Sequence, residues 1–224
     1  MNPLSSACVR RAGSRPRTFT TLVTAIGAVV VPVAASAQTA DRPNWKVGDR
    51  WTFHQVSGLP PTERDWSRVV EQALPDGRLR VKAGKSSLIF DGEGNSLDSR
   101  GPEYSWRRFA FPMRVGNAWE HDWKIGGDTW SGYARSRWEV KAYEKLMVPA
   151  GSFDCFRVEG TIWRNTLAAL AQGGVPYQVA TVQVTYWYCP EVKWIAKYAS
   201  REQASLSVPF IYSESVLTRY SLTN

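Results

Sequence analysis

Two cysteines, Cys155 and Cys189, lie in segments where apolar and polar residues alternate, which is the pattern of strands in a half-buried antiparallel sheet. In each segment the cysteine falls on the side opposite the apolar set. Two such strands joined as a hairpin, with the cysteines facing each other, would turn at Gln172, and Gly173-Gly174 follows directly. The sequence therefore predicts one specific register, with these opposed pairs: Val158 and Tyr186, Phe156 and Tyr188, Trp163 and Thr181.

Period-two alternation recurs along most of the chain. The clearest case is 117–125, where Trp119, His121 and Trp123 share one face and charged residues occupy the other. Turn-forming sequences at 75–77 and 91–95 separate short segments of this kind. A short helical pattern covers 166–172. Together these patterns predict an all-β protein: an antiparallel barrel or a strongly curved open sheet of about ten strands, with one short helical insert.

Residues 1–37 have the pattern of a secretory signal peptide. Four arginines without an acidic residue precede a mostly apolar stretch from Phe19 to Val33, and Ala35-Ser36-Ala37 fits a cleavage site. We expect cleavage after Ala37, which would leave a single β domain at 38–224 in the periplasm or outside the cell. An uncleaved anchor is the alternative, but the apolar run is shorter than the roughly 20 residues that a spanning helix needs. The mature chain is therefore expected to have no stable membrane span.

Charge and cysteine usage narrow the function classes. The chain carries a net charge of +8, of which the arginines of the leader supply half. The other basic residues are spread along strands, so no nucleic-acid partner is expected.

Removal of the leader also removes Cys8, and in an exported protein the remaining pair, Cys155 and Cys189, is expected to form a disulfide. Two free thiols are the alternative, and the absence of Cys-x-x-Cys disfavours redox catalysis.

The sequence offers few residues for catalysis or metal binding. His54 and His121 are the two histidines, and neither belongs to a nucleophile or metal motif, so no metal and no cofactor is expected. His121 is either a hydrogen-bonded core residue or a ligand contact. The loop 91–95 has acidic and amide residues at alternate positions, as calcium loops do, but Ser96 replaces the turn glycine. A carboxylate pair for glycoside cleavage leaves no local signature, so catalysis stays open.

A tryptophan-rich face is the candidate binding surface. Between Trp130 and Trp138, the same face carries the small residues Gly132, Ala134 and Ser136. These leave room either for a ligand or for a bulky neighbouring side chain. The candidate ligand-binding residues are Trp119, His121, Trp123, Trp130 and Trp138.

Three motifs resemble those of a poorly characterised family of bacterial exported β proteins. They are Val148-Pro-Ala-Gly-Ser-Phe-Asp-Cys155, Tyr186-Trp-Tyr-Cys-Pro-Glu-Val192 and Phe111-Pro-Met-Arg-Val-Gly-Asn-Ala-Trp119. The family more often continues the second motif with glycine, where this chain has Lys193-Trp194. The resemblance implies a lipocalin-like or open-barrel envelope protein, and it transfers no catalytic residues.

The function hypothesis is an exported, non-enzymatic protein that binds an apolar small molecule or an envelope component on its concave tryptophan-rich face. One alternative is an exported hydrolase acting on glycans or lipids. Another is a structural or assembly scaffold that uses a sheet edge.

Overall fold

The computed structural model describes residues 38–128, 130–168, 178–203 and 210–223. The predicted signal peptide at 1–37 and the predicted turn at 172–174 lie outside these ranges. The described residues form thirteen strands and two 3-10 turns, Pro102–Tyr104 and Pro190–Val192. The strands are β1 Thr39–Ala40, β2 Arg50–Ser57, β3 Thr62–Ala73, β4 Leu79–Ala83, β5 Ser86–Phe90, β6 Ser96–Leu97, β7 Met113–Arg114, β8 Ala118–Gly127, β9 Trp130–Val148, β10 Gly151–Ala168, β11 Gln178–Cys189, β12 Trp194–Gln203 and β13 Ile211–Ser221.

Eleven of these strands form one antiparallel sheet. Their order is β6-β5-β4-β3-β2-β13-β12-β11-β10-β9-β8, and β1 and β7 form a separate pair. β6 and β8 are the edge strands, so the sheet is open. The structure confirms the all-β prediction and selects the open sheet over the closed barrel.

The sheet curls until its two edges face each other across Trp106. The backbone of Trp106 forms a bridge with Ser96 of β6, while its ring stacks on Trp123 of β8 with centroids 6.1 Å apart. Arg100, which follows β6, donates from Nη1 to the carbonyl oxygen of Gly126 in β8 at 2.6 Å. The segment between β6 and β7 therefore spans the gap between the two edge strands.

The same segment then runs along the concave face. Phe109 is buried there. The hydroxyl of Tyr186 in β11 donates to the carbonyl oxygen of Arg108 at 2.8 Å, and Phe109 packs edge-on against the same tyrosine ring. The chain itself thus occupies much of the concave face.

The hairpin register predicted from the cysteines is confirmed. Val158 pairs with Tyr186, Phe156 with Tyr188, and Trp163 with Thr181. Cys155 and Cys189 form a disulfide with their Cα atoms 4.2 Å apart. Alternation places both on the face opposite the apolar set, yet each cysteine is 0% exposed. On that side Phe153, two residues before Cys155, is also buried and packs against Tyr220 of β13.

The predicted helical insert at 166–172 is wrong at its beginning. β10 continues through Thr166, Leu167 and Ala168, which all pair with residues of β9. Residues 169–172 lie outside the described ranges. A helical pattern of only seven residues stabilises a helix little, whereas a long neighbouring strand offers cross-strand hydrogen bonds that extend β10.

The turn after Val192 contains a residue with a left-handed backbone conformation. Lys193 has a φ of 56°, in the left-handed region that glycine favours. Its N–H donates to the carbonyl oxygen of Pro190 at 3.0 Å, and its own carbonyl accepts from Trp45 Nε1 at 2.8 Å. Lysine therefore occupies a backbone geometry in which glycine carries no steric cost.

Candidate ligand-binding cavity

Four of the five residues proposed from the sequence form one aromatic cluster with Trp106. Trp119 and Trp123 come from β8, and Trp138 lies opposite Trp119 on β9. The Trp119 and Trp138 rings stack at 6.4 Å, and Trp106 approaches Trp138 at 6.1 Å. His121 stacks on Trp123 at 5.8 Å. The cluster is built by alternation on two paired strands and is covered by the segment that crosses the concave face.

Trp106 occupies the space beside the small residues of β9. Ser136 lies between Ala134 and Trp138 on the inner face and is fully buried, as Ala134 nearly is. Trp106 packs over this region, because it contacts both Trp138 and Trp123. The space that the sequence left open is therefore taken by a bulky neighbour.

Trp130 lies apart from the cluster. It is 41% exposed and pairs with Gly127 where β8 and β9 meet.

His121 is partly exposed, and its Nε2 donates to the carbonyl oxygen of Ser105 at 2.8 Å. Because a carbonyl can only accept, Nε2 carries the proton. The contact matches that of a hydrogen-bonded core histidine.

A cavity of about 150 Å³ lies elsewhere on the concave face. Its floor comes from four neighbouring strands, β3, β2, β13 and β12, and the segment between β6 and β7 contributes one wall. The lining combines aromatic rings, two guanidinium groups and two small polar groups. The lining residues are Phe53, Gln55, Trp66, Arg68, Arg108, Trp194, Ile195, Tyr198 and Ser215.

Strand register places these side chains on one face. Gln55 of β2 lies opposite Ser215 of β13, which lies opposite Tyr198 of β12. Phe53 lies opposite Trp66 of β3, and their rings stack at 4.5 Å. Since side chains directly opposite each other in a sheet point to the same side, register and alternation bring Phe53, Gln55, Trp66, Tyr198 and Ser215 together on the cavity floor.

Aromatic faces surround the two arginines. The guanidinium carbon of Arg68 is 5.0 Å from the Trp194 ring centroid and 5.2 Å from that of Trp66. The guanidinium of Arg108 lies 4.3 Å from the Trp106 ring and 5.9 Å from that of Tyr198. Such cation–π contacts offset part of the cost of removing a cation from water.

Neither arginine has an acidic partner. All 20 aspartates and glutamates of the chain fall within the described ranges. Among these described residues, none that is acidic lines the cavity or acts on the charge of Arg68 or Arg108. Buried cations are normally paired with a carboxylate, so this pair of charges is unusual.

Burial perturbs both groups. Burial, and secondarily the positive charge of Arg108, lowers the pKa of Arg68 to about 9. Burial also lowers the pKa of Arg108. Arginine stays protonated in proteins near neutral pH, so the like charges of Arg68 and Arg108 repel each other.

Several polar atoms around the cavity lack hydrogen-bond partners within the described part of the chain. Three of them belong to the floor strands and one to the wall, and each is sealed from solvent. They are Nε of Arg68, Nε of Arg108, Nε1 of Trp66 and Oγ of Ser215. All four can donate a hydrogen bond.

A second depression on the opposite face bears on the hydrolase alternative. Glu139 and Glu159 face each other across β9 and β10 and line it. Each carboxylate already contacts a basic side chain: Lys141 Nζ lies 2.6 Å from Glu139, and Arg157 bonds to Glu159. Each of these ion pairs joins two residues that lie two positions apart on one strand and so share a face of the sheet.

The loop that resembles a calcium site has a structural role. Asp91 Oδ1 accepts from the backbone N–H groups of Glu93 and Asn95, at 2.9 and 2.8 Å. Asn95 in turn bonds to the backbone of Arg108 and Phe109. No group of three or more potential metal ligands occurs among the residues that the structure describes.

The described helical turns are short. Across 38–128, 130–168, 178–203 and 210–223, no helix is long and apolar enough to cross a membrane.

Sequence reasoning missed the arginine cavity, although a signal was present. Arg68 stands two residues from Trp66 and two from the buried Val70, so it falls in phase with the apolar face of its strand. Gln55 likewise continues the series of Trp51 and Phe53. A polar residue in phase with a buried face marks either a core hydrogen bond or a binding site. Arg108 had no such signal, because its segment is not a strand.

Comparison with known proteins shows structural likeness without sequence likeness. Neither a protein-family model nor a curated protein matches this chain. The solved structures similar to it include a candidate exported protein with a YmcC-like fold from Bacteroides fragilis, at 16% identity and a TM-score of 0.43, covering 81% of this chain and 99% of that one. The hypothetical lipoprotein YmcC from Escherichia coli K12 is 12% identical, with a TM-score of 0.41 and coverages of 78% and 86%. A candidate lipoprotein from Parabacteroides distasonis is 16% identical, with a TM-score of 0.39 and coverages of 82% and 100%.

Proposed function

We propose that this protein is exported and binds a small, largely apolar molecule, without catalysing a reaction, in the cavity between Phe53, Trp66 and Trp194. The observation that carries the proposal is the cavity itself, an open space on the concave face lined by aromatic rings and a few convergent polar groups. Apolar pockets with a small number of placed polar groups are the usual form of small-molecule sites. As in the hypothesis from the sequence, the proposed ligand binds on the concave face. The proposed site, however, lies on β2, β3, β12 and β13 and not on β8 and β9.

The volume limits what enters. A cavity of about 150 Å³ is the size that admits one benzene-sized group. The ligand, or the part of it that enters, is therefore one ring or a short branched alkyl group. A longer body would extend out of the cavity along the surface.

Export is supported by two independent features. One is the sequence pattern of 1–37, and the other is the disulfide between Cys155 and Cys189, which belongs to oxidising compartments. The check is intact-mass and amino-terminal analysis of protein purified from the periplasm of a bacterial host. We expect the first residue to be Gln38. Export would be contradicted if the protein kept its first 37 residues and remained in the cytoplasm.

Binding is tested with fluorobenzene followed by fluorine NMR. Wild type is expected to shift and broaden the probe signal. The Ser215→Phe variant places a ring in the cavity, and we expect it to abolish the effect. The matched control is Ser86→Phe on β5, where the serine is exposed and away from the cavity. Equal binding of fluorobenzene by wild type and the Ser215→Phe variant would exclude this cavity as its site.

A further inference from the structure

We propose that the cavity selects a ligand with an oxyanion, a carboxylate or a phosphate, on its apolar body, and that Arg68 and Arg108 bind this group together. The inference rests on the proposed function, because it names the chemical class of ligand that the same cavity takes. The tryptophans of β8 and β9 do not enter it.

The first argument is charge balance. Two guanidinium groups line one small cavity, and every acidic side chain of the chain lies in the described residues and away from that lining. A folded chain gains nothing by holding two like charges near each other without a counter-charge. A bound anion would supply that counter-charge and would relieve the repulsion between Arg68 and Arg108.

The second argument is hydrogen bonding. Nε of Arg68 and Nε of Arg108 are sealed from solvent and unpaired in the described structure, as are Trp66 Nε1 and Ser215 Oγ. Buried donors without acceptors are rare in proteins, and each one costs free energy. Each of the four atoms can donate to an acceptor, and an oxyanion presents several acceptors. Guanidinium groups match carboxylate and phosphate oxygens particularly well.

The third argument is the position of the two arginines. Arg68 extends from the floor strand β3, while Arg108 belongs to the segment that crosses the concave face. Aromatic rings hold both: Trp194 and Trp66 beside Arg68, and Trp106 beside Arg108. The two cations therefore approach the cavity from two sides, and the rings of Phe53, Trp66 and Trp194 are left to contact the apolar body.

The experiment compares three probes of similar size by fluorine NMR or calorimetry: 4-fluorobenzoate, 4-fluorophenyl phosphate and the uncharged 4-fluorobenzamide. We expect wild type to bind at least one of the anions about tenfold or more tightly than the amide, since a tenfold ratio corresponds to about 1.4 kcal/mol. The anion that binds more tightly indicates whether the cavity prefers a carboxylate or a phosphate.

Variants assign the effect to the two cations. Arg68→Met and Arg108→Met each keep an apolar stem without the charge, and each is expected to weaken the anion about tenfold while changing the amide less than about twofold. The matched control is Arg80→Met on β4, an exposed arginine outside the cavity lining. Its affinities should equal those of wild type.

Folding of the variants is checked by thermal denaturation without ligand. Because removal of an unpaired buried charge relieves a cost, Arg68→Met should melt no lower than wild type. Inorganic phosphate should raise the melting temperature of wild type and leave that of the Arg68→Met variant unchanged. A folded Arg68→Met variant that keeps wild-type anion affinity would overturn the inference.

The outcomes separate the two proposals. If fluorobenzene and the amide bind as well as both anions, the cavity is a ligand site but the oxyanion inference is wrong. If none of the four probes binds, the proposed function fails and the inference with it. Preference for an anion that survives in both arginine variants would place the anion elsewhere on the protein.

Discussion

The side chain of Asn95 holds the backbone of Phe109 from both sides. Asn95 Oδ1 accepts from the Phe109 N–H at 2.7 Å, and Nδ2 donates to the Phe109 carbonyl oxygen at 3.3 Å. The same Oδ1 also accepts from the N–H of Arg108 at 2.8 Å. Asn95 is only 4% exposed, so one buried amide fixes the segment that carries Arg108 to the cavity wall.

Asn95→Ala should therefore destabilise the protein. Two backbone N–H groups would lose their acceptor in a buried environment, which predicts a loss of about 2–4 kcal/mol in the free energy of unfolding. The measurement is urea denaturation. Asn117→Ala is the control, since the Asn117 amide makes its hydrogen bonds to Arg114 and Pro112 in an exposed turn. Equal losses in the two variants would show that the Asn95 contacts do not hold the segment.

The disulfide should stabilise the fold by restricting the unfolded chain. Cys155 and Cys189 are 34 residues apart, and closing a loop of that length contributes about 3–4 kcal/mol in the chain-entropy model. Denaturation with and without a reducing agent measures the difference. The Cys155→Ala/Cys189→Ala double variant should match reduced wild type and should not respond to the reductant. Since both cysteines are buried, native wild type should resist reduction until it unfolds.

The two tryptophans of β9 named from the sequence should differ in importance. Trp138 is 0% exposed and contacts Trp106, Trp119 and Tyr186. Trp138→Ala should cost about 3–5 kcal/mol, as for other buried aromatic residues. Trp130→Ala should cost less than about 1 kcal/mol, because Trp130 is 41% exposed. Urea denaturation of both variants tests this, and similar costs would contradict the burial difference.

Acid should weaken the contact across the open edges of the sheet. Hydrogen bonds from the Arg100 side chain and backbone lower the pKa of Asp98 from its ordinary value of 3.8 to about 2, and Arg100 reaches Gly126 on the opposite edge strand. A carboxyl whose pKa is lower in the folded state stabilises the fold fully above its unfolded pKa, and the contribution is lost as pH falls through the folded value. We expect wild type to melt above Asp98→Asn at pH 5, with the gap closing toward pH 2. A gap that stays constant over this range would refute the assignment.

The hairpin of β10 and β11 shows what the sequence could predict. Alternation fixes which face each residue takes, and a disulfide between two strands leaves one register, so Val158 and Tyr186 could be paired without a structure. The turn-forming residues at 75–77 predicted the turn between β3 and β4, and period-two alternation predicted the aromatic face of β8.

The cavity shows where such reasoning stops. Arg108 belongs to a segment without strand periodicity, and its path across the concave face depends on Asn95 and Tyr186, which are distant in the chain. The neighbours of Arg68 likewise include Trp194, which is far away in sequence. No local pattern encodes contacts between distant segments.

The sequence by itself therefore determined the all-β class, the alternation of faces, the cysteine pairing and its register, because these depend on periods of two residues and on one covalent constraint. Only the tertiary structure decided that the sheet stays open, that the segment between β6 and β7 runs along its concave face, and that two arginines line one cavity without a carboxylate. The physical reason is that curvature and filling arise from side chains brought together from distant strands, where packing and charge balance are properties of the whole fold.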